Sequence, residues 1–144
     1  MKTLVIRKGK RLTIRAIAYP QDEASSWDRC DTLAFLQECN QTHPNESRKL
    51  GALLTDVAEC GPSDTTKFKP LPGTDGIYEF KTRFGFRLLC FWDDGGLIIC
   101  SHGYLKGSQK APKPELDKAK RSKRDYFIAK QKGELTHVEP KRKP

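Results

Sequence analysis

A chain of 144 residues is one domain's length, enough to bury roughly two thirds of the surface its unfolded form exposes. A hydrophobic share of 36% beside 31% charged residues, with seven Phe, four Tyr and two Trp, excludes wholesale disorder and describes a small, well-hydrated mixed domain. The net charge of +9 is uneven: residues 1–105 hold 14 Lys/Arg against 13 Asp/Glu, whereas residues 106–144 hold 13 against 5, a basic end that suits phosphate, anionic lipid or an acidic protein.

The start MKTLVIRKGK has no h-region, and no apolar run approaches 18 residues, so neither a secretory signal nor a membrane span is expected and the cytoplasm is the expected location. Residues 1–10 read as an N-terminal extension. Residues 11–18, RLTIRAIA, alternate with period 2 and predict a half-buried first strand ending at Pro20. Ser25 or Ser26 then caps a helix to about Gln41, with Trp27, Cys30, Leu33 or Ala34, and Cys39 at helical spacing. A second helix starts at Pro44, carries Leu50, Leu53, Leu54 and Val57 on one face, and stops at Gly61-Pro62 near Cys60.

The stretch SDTTKFKPLPGTDG is expected to be a loop, its prolines and glycines opposing regular structure. Three strands come next, Ile77–Thr82, Phe86–Trp92 and Leu97–Tyr104, joined by glycine-bearing turns into an antiparallel meander. A third helix runs from Pro114 to about Lys130 with Leu116, Ala119 and Tyr126 or Phe127 as its stripe, and the tail GELTHVEPKRKP looks frayed. The pattern β-α-α-β-β-β-α is an α+β fold: a small, mostly antiparallel four-stranded sheet with an N-terminal helical hairpin on one face and a C-terminal helix. The domain bounds expected are 11–132, with 133–144 a basic flexible tail.

The five cysteines, at 30, 39, 60, 90 and 100, are irregularly spaced, lack a C-x-x-C and stand beside only three histidines, which argues against a disulfide framework or a zinc site and for reduced, mostly buried thiols. Asp93-Asp94 is explained by a D-G-G hairpin tip rather than a metal site, and Glu79 by pairing with an arginine of a neighbouring strand. His43 and His137 are read as solvated, and Trp27, Phe35 and Trp92 as core.

The Asp93-Asp94-Gly95-Gly96 turn sets a register in which Arg87 lies directly opposite His102, so that guanidinium and imidazole share one patch with Tyr104. Lys81 joins them if the preceding turn is a three-residue Arg83-Phe84-Gly85 loop. Such a set suits cleavage of RNA by its own 2′-hydroxyl, which needs a proton acceptor, fixed cations for the phosphate and a donor for the departing 5′-oxygen, with no metal. Arg87 beside His102 would favour a neutral imidazole base.

The ordered series G-I-Y-E-F-K, F-R-L-L, S-H-G-Y-L-K and Q-K-A-P within residues 67–119, behind the helix-like stretches DTLAFLQEC and KLGALLTDVAECG, resembles the phage-derived, HigB-type branch of the RelE/ParE toxin superfamily, the toxins of type II toxin-antitoxin modules. The resemblance covers about residues 11–130. It implies a RelE-like fold without a cofactor and an endoribonuclease that inhibits translation by cutting mRNA on the ribosome. It also implies a cognate antitoxin, often of helix-turn-helix type, that neutralises the toxin in a hetero-oligomer. By motif, Lys81 stands where the family commonly has arginine, Arg87 matches the arginine of its Y-R strand, His102, Tyr104 and Lys106 match its H-G-F-x-K segment, and Lys110 matches the lysine of its T-Q-K-T-P. The implied catalytic residues are therefore Lys81, Arg87, His102 and Tyr104, and the RNA-binding ones Arg83, Lys106, Lys110 and Lys113. Lys81 retains charge but loses the arginine fork, and Gly107 stands where a second lysine is common. Two other readings remain open at this point: a ParE-like, binding-only inhibitor of DNA gyrase, and an inactive RNA-binding relic.

Overall fold

The computed structural model describes residues 1–20, 28–107 and 112–140. The pair of helices forms at the expected place: α1 (Asp31–Thr42) and α2 (Pro44–Cys60), with Pro44 at the first helical position, where its missing N–H is harmless. α2 ends at Gly61, whose N–H bonds Val57 O before Pro62 turns the chain away. The Ser25/Ser26 cap and Trp27 lie outside the described residues, and α1 begins at Asp31, later than the spacing suggested.

Among the described residues, seven strands make one open sheet rather than the expected four: β1 (Lys2–Lys8), β2 (Thr13–Ala18), β3 (Phe68–Pro70), β4 (Tyr78–Lys81), β5 (Phe86–Asp93), β6 (Leu97–Leu105) and β7 (Thr136–His137), in the order β3-β4-β5-β6-β2-β1-β7. The meander β4–β5–β6 is antiparallel as predicted, and β2 joins β6 in parallel. Three additions correct the sequence reading. The N-terminal segment is strand β1, paired antiparallel with β2. Within the stretch expected to be all loop, Phe68–Pro70 pairs with β4 at the sheet edge, where proline's missing donor is tolerated. Part of the supposedly frayed tail is β7, paired with β1.

Because β2 sits inside the sheet, Ile14 through Ala18 are all buried, not half-buried as the alternation suggested. The turn after β1 explains part of this placement. The carbonyl of Ala58, at the end of α2, accepts from Arg11 and Leu12 N–H, and a Cβ at Gly9 would lie 2.2 Å from that carbonyl oxygen, so the approach requires glycine.

The sheet carries a core on each face. Toward α1 and α2 lie Leu50, Leu54, Val57, Phe80, Phe86, Leu88 and Ile98; on the other face Ile17, Ile77, Leu89, Phe91 and Ile99 pack beneath the third helix, α3 (Lys113–Gln131), through its Ala119 and Tyr126. All five cysteines are free thiols, with Cys39, Cys90 and Cys100 buried and Cys60 exposed. No described helix is long and apolar enough to cross a membrane.

Candidate active site

Strand register decides which side chains meet. Lys81 is directly opposite Arg87, since Arg83-Phe84-Gly85 is the odd-numbered loop required, with Thr82 N–H bonding Phe86 O across it. Arg87, however, faces Tyr104 and not His102: the β5–β6 pairing runs Asp93 to Leu97 and Cys90 to Cys100, then shifts at a bulge so that Leu89 faces His102. The extra residue, Ser101, allows both Ser101 and His102 to reach α3, whereas Cys100 belongs to the core beneath α1 and α2.

His102 is consequently buried, 3% exposed, and locked on both nitrogens. Nε2 is 2.8 Å from the Glu115 carboxylate of α3, and Nδ1 is 2.9 Å from Ser101 Oγ, which itself lies 2.9 Å from Ser122 Oγ. An ionised carboxylate only accepts, so Nε2 carries the proton. Burial pushes the imidazole pKa below its usual value, helped by Lys118, while Glu115 and Asp31 oppose the shift. The ring is thus walled beneath α3, which corrects the expectation of an imidazole directly opposite Arg87 in an open patch.

Arg87, Lys81 and Tyr104 instead gather around Glu79. Glu79 is 1% exposed, with Oε1 3.9 Å from Arg87 Nε and 4.0 Å from Lys69 Nζ, the neighbouring-strand pairing expected for it. Arg87 Nη1 donates to the carbonyls of Thr82 (2.9 Å) and Phe86 (3.0 Å), which fixes the guanidinium at the mouth of the β4–β5 turn. Among the described residues, the buried Tyr104 hydroxyl has no hydrogen-bond partner, nor do Arg87 Nε and Glu79 Oε2. Burial, with the negative charge of Glu79, pushes the Tyr104 hydroxyl up to about 12, so it stays protonated. Lys81 is pulled the other way, below the usual lysine pKa, by burial and by the adjacent Lys69 and Arg87.

Lys81, Thr82, Arg83 and Arg87 line one end of a groove of about 1140 Å³ whose other wall is α2 and the chain after it. Arg83 is exposed beside it, Lys106 succeeds β6 half-buried, and Lys113 is exposed at the start of α3. Lys110 lies outside the described residues.

Several neighbours were not legible as site residues. Glu115 reads as an ordinary first-turn acid and Lys69 as a loop lysine, because neither the folding of α3 onto this face nor strand β3 is visible in local pattern. Two residues expected to be solvated are engaged: His43 packs tilted against Phe84 and edge-on against Phe86, and His137 shares a 2.6 Å hydrogen bond with Thr3 Oγ1. Asp93 accepts from Tyr126 (2.6 Å) and Lys130 (2.8 Å).

The model of the family described as phage derived protein Gp49-like (DUF891) matches residues 37–124, more than half the chain, including Lys81, Arg87, His102 and Tyr104. The chain belongs to this family of RelE/HigB-like toxins. No curated protein matches the chain.

Proposed function

From its membership of the Gp49-like toxin family, we propose that this protein is the toxin of a type II toxin-antitoxin system, an endoribonuclease that cuts mRNA on the ribosome and is neutralised by a cognate antitoxin. One observation carries the reading: Lys81, Arg87 and Tyr104 converge around a buried glutamate at the end of the meander, with Lys81 and Arg87 opening onto a groove. In the reaction, the 2′-oxygen attacks the adjacent phosphorus as the P–O5′ bond breaks, giving a 2′,3′-cyclic phosphate and a 5′-hydroxyl. Lys81, whose pKa is lowered by burial and by the cations of Lys69 and Arg87, accepts the 2′-proton. Arg87, held in place by the Thr82 and Phe86 carbonyls, meets the charge growing on the phosphate. Tyr104, protonated and without a hydrogen-bond partner among the described residues, gives its proton to the departing 5′-oxygen. His102 is a positioning residue: its bond to Glu115 ties α3 to the strand that carries Tyr104. Arg83, Lys106 and Lys113 hold flanking phosphates by charge.

The test is mapping of transcript 5′ ends after induced expression. New 5′-hydroxyl ends in translated messages are expected, and folded Arg87→Ala lowers their yield roughly 10²- to 10³-fold. Growth arrest with broken DNA and intact messages would make the protein a gyrase poison, and undiminished cleavage by folded Arg87→Ala would remove the assigned site.

A further inference from the structure

Three large apolar side chains among the described residues are exposed, and two of them, Phe84 (40%) and Leu105 (53%), stand at the same end of the meander. Phe84 is the tip of the β4–β5 turn. Leu105 ends β6 opposite Phe86, and it comes so close to Gly85 that a Cβ there would sit 3.3 Å from Leu105 Cδ1. Phe84 is not a loose side chain. Its ring lies 4.7 Å from His43, at a 52° tilt, and 5.0 Å from Phe86, whose own ring is edge-on to Phe35 in the core. An aromatic ring braced from behind and open in front loses little freedom when something stacks on it. Around it the charge is cationic: Arg83 precedes it, Lys106 comes after Leu105 with its N–H bonded to Gly85 O, and Arg83 also lines the groove that holds Lys81 and Arg87.

We propose that Phe84, backed by His43 and Phe86, is a stacking platform for one nucleobase of a single-stranded RNA whose neighbouring phosphates lie on Arg83 and Lys106. The inference rests on the ribonuclease reading for its substrate, and it names how that substrate is held beyond the scissile bond. A protein hot spot would share the aromatic ring. The cationic rim, continuous with the Lys81–Arg87 groove, matches a polyanion with bases, which offers a π-face and a phosphate at each step.

The test uses the full chain and a short single-stranded oligoribonucleotide blocked by 2′-O-methyl groups, so that binding is read without cleavage. Phe84→Ala weakens binding about 5- to 150-fold, the range for losing one base–aromatic stack. Removing the base at a single position of the oligonucleotide weakens the wild type similarly and abolishes the difference between wild type and variant. Phe84→Leu retains apolar packing on Phe86 but has no π-face, whereas Phe84→Trp keeps one, so Trp binds like wild type and Leu like Ala, with the salt dependence unchanged. These two variants decide the matter if Phe84→Ala fails to fold. Equal binding by the Leu and Trp variants, a Phe84 effect indifferent to every abasic position, or loss of a protein partner with RNA binding intact would overturn the proposal. Phe84-dependent binding by a protein that cuts nothing would keep the platform and remove the nuclease; Arg87-dependent cleavage indifferent to Phe84 would do the reverse.

Discussion

Truncation after Lys132 is expected to destabilise the whole domain, although the residues removed are terminal and, apart from Leu135 and Val138, mostly polar. Arg15, in the buried strand β2, is only 5% exposed, and its guanidinium is satisfied mainly by the two residues directly after β7: Nη1 donates to Val138 O at 3.0 Å, and Nη2 pairs with the Glu139 carboxylate. Truncation also removes the His137 partner of Thr3 and backbone bonds to β1 that include Thr136 N–H to Met1 O and Val138 N–H to Thr3 O. Breaking a buried ion pair costs about 3–5 kcal/mol, but Glu139 is 61% exposed and water can reach Arg15 once the strap is gone, which places the net loss at about 2–4 kcal/mol. For a domain of this size that corresponds to about 5–15 °C in the melting midpoint. Circular dichroism melts and urea midpoints of the full chain and the truncated chain measure it. The stranded charge is identified by repeating the truncation in an Arg15→Met background, where the loss should shrink by at least about 1 kcal/mol. A truncated protein melting within about 2 °C of the full chain, or an equal loss in both backgrounds, would refute the reasoning.

Tyr104→Phe should separate stability from activity. Deleting a buried hydroxyl that has no partner among the described residues leaves stability unchanged or raises it by up to about 1 kcal/mol, while cleavage falls roughly 10²-fold as the proton donor is lost; a clearly destabilised variant, or one that cleaves fully, contradicts the assignment. Acid should weaken the fold through two histidines. Burial holds His102, facing Glu115 and Lys118 of α3 and Asp31 of α1, below the ordinary value of 6.5, and His137 near Arg15, Asp93, Lys130 and Glu139 likewise. The unfolded chain then binds more protons, so this stability is complete above about pH 6.5 and is lost as pH falls toward the folded values. Urea midpoints at pH 7.5 and 5.5 read the difference, and it should narrow when both are replaced by Gln; a slope that survives in the double variant places its origin elsewhere.

Much of the central architecture was legible because it is local. Pro44, Gly61-Pro62 and the Leu50–Leu54–Val57 spacing specify α2 wherever it packs, and alternating apolar runs with glycine turns specify the meander. The three-residue loop before Phe86 correctly put Lys81 opposite Arg87. Strands β1, β3 and β7 left weak local signals: β1 has lysine at both ends, β3 is short and ends in proline at the sheet edge, and β7 is a two-residue strand held by β1 from the other end of the chain.

The site divides in the same way. Lys81 meets Arg87 because the Arg83-Phe84-Gly85 loop sets that hairpin's parity, whereas Tyr104 comes to face Arg87 because the β5–β6 turn and the bulge each shift β6 by one residue. His102 lies two residues from its expected place opposite Arg87: the β5–β6 turn holds three residues, Asp94 to Gly96, where the expected register requires an even number, and the bulge at Ser101, which leaves no mark in hydrophobic periodicity, adds the second shift. Tertiary structure alone decided that α3 closes over that histidine through Glu115, and that Arg15 is answered by Glu139 from 124 residues away. Burial depends on what the rest of the chain lays on a surface, and no local pattern encodes that.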